Sequence, residues 1–282
     1  MTAAPKLLVF DSGLGGLTVL SEVTRLRPDA QCLYVADDAG FPYGLLSEEA
    51  LVARVNLVLE RLIARFSPDL VVIACNTAST LVLPHLRARY PQLPFVGTVP
   101  AVKPAAALSR SQMISVLATP GTVTRDYTRD LVRTYAAHCD VTLVGSDRLA
   151  ALAEAFMKGE TVADDAIAAE IAPCFMANGE ARTDCIVLAC THYPLLLAQF
   201  ERLAPWSVAW IDPAPAIARR VDHVLGEDLR QAGGTEGSEA GRAGAHAALF
   251  TSAAPPGPAL GAALRQRGLA KIILEPIPLD RS

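Results

Sequence analysis

Apolar positions in this 282-residue chain gather into short unbroken runs, and the stretches between the runs repeat their apolar residues at helical spacing. Runs at 6–10, 31–36, 70–74 and 95–96 read as buried strands, with 17–26 and 48–66 as amphipathic helices between them. A second series follows, with strands at 113–118, 141–144, 185–189 and 208–211 and helices at 126–137, 148–157, 164–176 and 195–203. Two last strands are expected at 248–251 and 271–274. Strands alternating with helices of this length predict an α/β protein with mainly parallel sheets, because a parallel pair needs a long crossover that packs back on the sheet.

The two series repeat each other. Asp69-Leu70-Val71-Val72-Ile73-Ala74-Cys75-Asn76-Thr77 aligns with Asp184-Cys185-Ile186-Val187-Leu188-Ala189-Cys190-Thr191-His192, each position 115 residues after its mate. A weaker match pairs Leu8 to Gly13 with Val116 to Gly121 at an offset of 108. The expected organisation is two pseudo-symmetric α/β domains with the active site in the cleft between them. The first domain is discontinuous, 1–98 plus 211–282, and the second is 99–210. Pro100 and Pro104 mark one crossing, and Pro213 and Pro215 the other. The segment 231–247, rich in Gly, Ala, Ser and Glu, reads as a flexible insertion.

Composition narrows the function classes. With 51% hydrophobic and 19% charged residues, the chain has the content of a folded globular protein. A net charge of −4 and 25 scattered basic residues lack the clustered positive face of a nucleic-acid binder. No apolar run reaches the roughly 18 residues that span a bilayer, and the start of the chain has no signal-peptide pattern, so a soluble cytoplasmic protein without membrane association is expected. Six cysteines with no CxxC pair fit a reducing compartment.

In parallel α/β sheets ligands bind beyond the carboxyl ends of the strands. Those positions hold Asp11-Ser12-Gly13, Asp37-Asp38, Cys75-Asn76-Thr77, Thr119-Pro120-Gly121-Thr122 and Cys190-Thr191-His192. Gly13-Leu14-Gly15-Gly16 invites a dinucleotide reading with Asp37 on the ribose, but the third glycine of that fingerprint falls on Thr18, and Asp11 would set a negative charge against the pyrophosphate. The glycines better serve a sharp turn and close approach to a small ligand. Cys32, Cys139, Cys174 and Cys185 lie in or beside apolar runs and read as packing residues. Cys75 and Cys190 each end a strand and open a helical stretch, where the helix N-terminus favours thiolate and makes a base or nucleophile. Zinc on Cys75, Cys190 and His192 lacks close ligand spacing, so no metal is expected. His192, two residues after Cys190, can tune or protonate what reacts there.

Two equivalent thiols acting on opposite faces of one carbon permit inversion, one removing a proton as the other supplies one. The carbanion at an amino-acid Cα needs an electron-sink cofactor or protein dipoles. None of Lys6, Lys103, Lys158 and Lys271 lies in a pyridoxal phosphate motif, which favours a route with no cofactor.

Phe10 to Val19, Asp37 with Phe41-Pro42-Tyr43-Gly44, Ala74 to Ala78 and Cys190-Thr191-His192-Tyr193-Pro194 resemble, in order and spacing, the successive motifs of the bacterial glutamate racemases. The resemblance implies an isomerase that interconverts L- and D-glutamate and supplies D-glutamate for peptidoglycan. It implies catalytic roles for Cys75, acting on D-glutamate, and Cys190, acting on L-glutamate, with Asp11 and His192 assisting the adjacent thiols. Substrate-binding pairs follow as Asp11-Ser12, Tyr43-Gly44, Asn76-Thr77 and Thr191-His192, with Thr119 and Thr122 also facing the substrate. Asp37 and Glu154 match further acidic positions. No cofactor, no nucleic acid and a homodimer or monomer–dimer equilibrium are implied. Asp38 and Gly40 depart from the family, where a hydroxyl residue and a basic residue are common. Related alternatives are a racemase for aspartate or hydantoin, or a malonate decarboxylase. A nucleotide-binding oxidoreductase or a ligand-binding protein on the glycine loop is the alternative from another class.

Overall fold

The computed structural model describes residues 4–231 and 246–279. Most of the 231–247 segment therefore lies outside the described residues. The chain divides into two compact units, Val99–Pro213 and the residues on either side of it.

The chain enters the first unit through β1 (Lys6–Asp11), α1 (Leu17–Leu26), β2 (Gln31–Ala36), α2 (Glu48–Phe66), β3 (Leu70–Ile73), α3 (Asn76–Arg89) and β4 (Phe95–Gly97). Helix α2 forms where the pattern demands. Ser47 caps it, its hydroxyl accepting from the Ala50 N–H at 3.2 Å, and Glu48 and Glu49 face the positive end of the helix dipole. Its buried stripe of Leu51, Val55, Val58, Leu59 and Leu62 packs with Leu8, Phe10, Val71 and Ile73 of the sheet.

Within the second unit come α4 (Val102–Leu108), β5 (Met113–Ala118), α5 (Pro120–Val123), α6 (Asp126–Tyr135), β6 (Asp140–Gly145), α7 (Leu149–Met157) and α8 (Asp164–Ile171). A two-stranded hairpin follows, β7 (Ala177–Asn178) and β8 (Ala181–Arg182), then β9 (Cys185–Ala189), α9 (Leu197–Leu203) and β10 (Ala209–Ile211). The single helix expected over 164–176 stops at Ile171, because Pro173 cannot continue the hydrogen-bond ladder; a 3-10 turn at Ala172–Cys174 leads into the hairpin. The helix expected from 195 begins as a 3-10 turn at Tyr193–Leu196.

The chain returns to the first unit with α10 (Ala214–Gln231), β11 (Ala247–Phe250), α11 (Pro258–Gln266) and β12 (Lys271–Leu274). Its sheet runs β12-β11-β2-β1-β3-β4, all parallel. The second sheet runs β10-β9-β5-β6, also parallel. Alternate residues of β5 and β9 serve opposite faces: Leu117, Ile186 and Leu188 enter one apolar cluster, and Ile114, Val116, Val187 and Ala189 another. Residues buried on both sides explain why these strands read as apolar runs, broken only by the buried Ser115 of β5. The sequence repeat has a spatial counterpart, since β3 lies beside β1 in one sheet and β9 beside β5 in the other.

Candidate active site

In the first unit the carboxyl ends of β1, β2 and β3 bring Asp11, Asp37 and Cys75 to one edge of the sheet. Asp11 is fully buried, and its Oδ2 accepts from the N–H groups of Gly13 at 3.2 Å and Gly16 at 3.1 Å. The glycine turn thus holds the protein's own carboxylate at the N-terminus of α1, where a dinucleotide's pyrophosphate would have to lie. Gly16 is required by proximity: a Cβ there would meet the Asp11 Cβ at 2.9 Å, the Ala74 Cβ at 3.0 Å and the Tyr34 ring at 3.2 Å.

Cys75 occupies the cap position of α3 with extended backbone, and its carbonyl accepts from the Ser79 N–H at 2.8 Å. Its Sγ lies 3.8 Å from the Ser12 hydroxyl. The strand end beneath it is latched. Ser79 Oγ and Thr98 Oγ1 both donate to the Ile73 carbonyl, at 2.8 and 3.0 Å, and the Thr98 N–H donates to Ser79 Oγ at 2.9 Å. Asn76 and Thr77, which open the helix, are buried, and both polar atoms of the Asn76 side chain are without a hydrogen-bond partner among the described residues.

Asp37 is fully buried and bound on both oxygens. Arg54 reaches it from α2, with Nε to Oδ2 at 2.9 Å and Nη2 to Oδ1 at 2.5 Å; Tyr43 donates to Oδ2 at 2.5 Å and Thr251 to Oδ1 at 2.6 Å. Burial and the adjacent Asp37 carboxylate push the Tyr43 phenol well above its ordinary pKa, so it stays a donor. Burial works against the Arg54 cation, but its hydrogen bonds to Asp37 and the attraction of that carboxylate prevail, and its pKa rises. Tyr43 is buried while the adjacent Gly44 is exposed. Asp38 turns to the end of β11, accepting from Ser252 N at 2.8 Å and Ser252 Oγ at 2.5 Å.

In the second unit β5 and β9 end just before Thr119 and Cys190. The Thr119 and Thr122 hydroxyls lie 3.0 Å apart, and Thr128 Oγ1 donates to the Thr122 carbonyl at 2.7 Å. Cys190, Thr191 and His192 are buried in the turn before the 3-10 segment. Cys190 Sγ lies 3.9 Å from His192 Nδ1, while His192 Nε2 is 2.9 Å from Glu154 Oε1. The other oxygen, Oε2, lies 3.2 Å from Lys158 Nζ, one turn along α7. A thiol, an imidazole, a carboxylate and an ammonium therefore form one chain of contacts. Sequence reasoning set His192 beside Cys190 and named Glu154 only as a further acidic position; it did not find Lys158, whose i,i+4 spacing from Glu154 was the available signal. Arg54, Ser79, Thr98 and Thr251 were also missed.

The other thiols sit in apolar packing. Burial pushes Cys32, Cys174 and Cys185 up to about 12, and raises Cys139 as well. No group of three or more His, Cys, Asp and Glu among the described residues is arranged to hold a metal ion, and no described helix is long and apolar enough to cross a membrane.

Two α/β units built on parallel sheets, each with a cysteine-led polar turn beyond the strand second from one edge, define a doubled α/β protein with a matched pair of thiol turns. The model of the Asp/Glu/Hydantoin racemase family matches residues 18–221, and the chain belongs to that family. It is 58% identical over 226 residues to the glutamate racemase of Brucella ovis, covering 79% of this chain and 82% of the relative. Against the glutamate racemase of Agrobacterium fabrum the identity is 58% over 219 residues, 78% and 80% of the two chains. Among solved structures, Escherichia coli glutamate racemase in complex with L-glutamate and the activator UDP-MurNAc-Ala superposes with a TM-score of 0.84 at 38% identity, covering 96% of this chain and 97% of that one. The Thermus thermophilus glutamate racemase, in complex with β-chloro-D-alanine, gives 0.68 at 28% identity, covering 99% of both chains.

Proposed function

We infer that this chain is a glutamate racemase, interconverting L- and D-glutamate with Cys75 and Cys190 as the two acid/base groups and no cofactor. The observation that carries the mechanism is the equivalence of the two thiols. Each follows the strand second from one edge of its own parallel sheet, and each is followed at once by a buried polar pair.

One thiolate takes the Cα proton and becomes a thiol; the electron pair left on Cα is delocalised toward the α-carboxylate. The other thiol then gives its proton to the opposite face and becomes the thiolate. Reversal exchanges the roles, as the two enantiomers require. Cys190 acts as base on L-glutamate and Cys75 on D-glutamate. Asn76, whose amide atoms have no hydrogen-bond partner among the described residues, and the hydroxyls of Ser12, Thr77, Thr119, Thr122 and Thr191 satisfy the substrate carboxylates with neutral donors. Neutral donors suit the chemistry, because they accept growing carboxylate charge without fixing a counter-ion on one face. His192 and Glu154 support the Cys190 thiol; Asp11, held by the glycine turn, supports the Cys75 side.

This reading places the enzyme in the cytoplasm, supplying D-glutamate for peptidoglycan, as a homodimer or in monomer–dimer equilibrium. Purified protein incubated with L-glutamate in deuterated water, without added cofactor, should form D-glutamate carrying deuterium at Cα. Cys75→Ala and Cys190→Ala should each abolish turnover. Full activity in either variant overturns the two-thiol mechanism, and turnover of another amino acid in preference to glutamate overturns the substrate assignment.

A further inference from the structure

The mechanism gives no task to a heavily bonded charged pair in the first unit. Arg54 and Asp37 are both buried, and the guanidinium does more than neutralise the carboxylate. Its Nη2 also donates to the Ile277 carbonyl at 2.6 Å, and its Nη1 to the Pro278 carbonyl at 2.9 Å. These two carbonyls belong to the segment after β12, far along the chain from the loop that Asp37 opens. That segment is itself sewn to the β11 end, where the Ile277 N–H donates to the Thr251 carbonyl at 2.9 Å. Thr251 in turn donates to Asp37 and accepts from the Ala39 N–H at 3.2 Å.

On the other side of Asp37 lies the loop. Tyr43 is tied to Oδ2, and the Gly40 N–H donates to the Asp37 carbonyl at 2.9 Å. Gly40 has no room for a side chain: a Cβ would stand 2.7 Å from Asp37 Oδ2 and 2.9 Å from the Tyr43 ring. The buried Tyr43 ring is therefore an anchor, and Gly44 beside it is the part of the pair left open to a ligand.

We propose that Arg54 is a positioning residue for the reaction, acting through Asp37 to fix the Tyr43-Gly44 loop and clamping the segment at Ile277–Pro278 onto the same carboxylate. The chain's C-terminal segment is then part of the support of the substrate loop. A guanidinium is needed, since only its planar fork can bind both carboxylate oxygens and two carbonyls at once. The proposal rests on Tyr43-Gly44 being a substrate-binding pair, as the glutamate racemase reading has it.

The test compares the full chain with Arg54→Gln, Arg54→Lys and a chain ending at Glu275, by steady-state racemisation and by amide hydrogen exchange. Arg54→Gln should raise KM for both enantiomers about tenfold with kcat changed less than about threefold, because binding geometry is lost while the thiols stay in place. Amides of 40–46 should exchange faster while those of β1 and β3 do not. The shortened chain should change both readouts in the same sense, and Arg54→Lys should recover part of the KM. Unchanged KM together with unchanged exchange at 40–46 in Arg54→Gln overturns the proposal; so does a uniform loss of protection in both regions with KM unaffected, which marks a merely structural ion pair. Should Arg54→Gln not fold, Arg54→Lys decides, with KM raised and 40–46 loosened in support and neither in refutation. If the full chain does not racemise glutamate but the variants still loosen 40–46 selectively, the functional reading fails while the clamp stands.

Discussion

Replacing Glu154 by Gln isolates the contribution of charge to the Cys190 side. The amide keeps the size of the carboxylate and an oxygen that can still accept from His192 Nε2, now 2.9 Å away, so geometry is largely preserved while the negative charge is lost. That charge orients the imidazole and fixes which ring nitrogen faces Cys190 Sγ, 3.9 Å from Nδ1. Two unit charges about 4 Å apart interact by about 4 kcal/mol at the effective dielectric of a protein site, which sets the scale. Lys158, 3.2 Å from the other oxygen, offsets part of it and remains in the variant as an uncompensated positive charge. A net loss of about 1.4–2.8 kcal/mol, or about 10–100-fold in kcat/KM, is expected. The equilibrium constant between enantiomers is unity, so kcat/KM must fall by the same factor in both directions, whichever thiol is impaired. The side of the defect is legible in isotope effects. With α-deuterated L-glutamate, whose proton Cys190 is proposed to remove, the isotope effect on kcat/KM should grow in the variant; with α-deuterated D-glutamate it should grow less. Circular dichroism follows both directions continuously. A kcat/KM within twofold of the parent, or a larger rise in the isotope effect from D-glutamate, would refute the assignment of Glu154 and His192 to Cys190.

Gly16→Ala should destabilise the first unit by about 1–3 kcal/mol in urea unfolding, since its Cβ would press on two other Cβ atoms that cannot swing aside; a neutral result would show that α1 can slide off β1 and β3. Ser79→Ala removes one of two hydroxyls on the Ile73 carbonyl and the acceptor of the Thr98 N–H, and should cost about 1–2 kcal/mol of stability and lower turnover through the Cys75 turn, measured by unfolding and racemisation on one preparation. Alkaline stability should fall between about pH 9 and about pH 12. Cys32, Cys174 and Cys185 are raised to about 12 in the folded chain, so across that window the unfolded chain has lost protons that the folded one retains. Stability is fully present below the unfolded thiol pKa and declines as pH climbs; Cys32→Ala with Cys174→Ala should flatten the slope, and a slope unchanged in the double variant would place the titration elsewhere.

The parallel architecture was legible because both faces of β3, β5 and β9 are covered, which leaves the buried Ser115 of β5 as the one polar residue within these apolar runs. Helices that begin or break at proline were not: α4 contains Pro104, α10 starts just after Pro213, and α11 opens on Pro258. The same residue that signals a turn also suits the first position of a helix, where its missing N–H costs nothing. The candidate site divides along a similar line. Cys75, Cys190 and the polar residues beside them follow strands directly, so their place in the fold is local information. Arg54 and Thr251 meet Asp37 from 17 and 214 residues away, and the Ile277 and Pro278 carbonyls meet Arg54 from 223 and 224, which no local pattern encodes. The glycine turn shows why composition of a motif does not decide its ligand. Backbone N–H groups aimed at the mouth of α1 attract an anion whatever its source, and Asp11, placed by the last pairing of β1, supplies that anion from within the chain. A turn that resembles a phosphate cradle in sequence is thereby spent on orienting a carboxylate next to the Cys75 strand, and the fold itself removes the dinucleotide reading that the glycines raised.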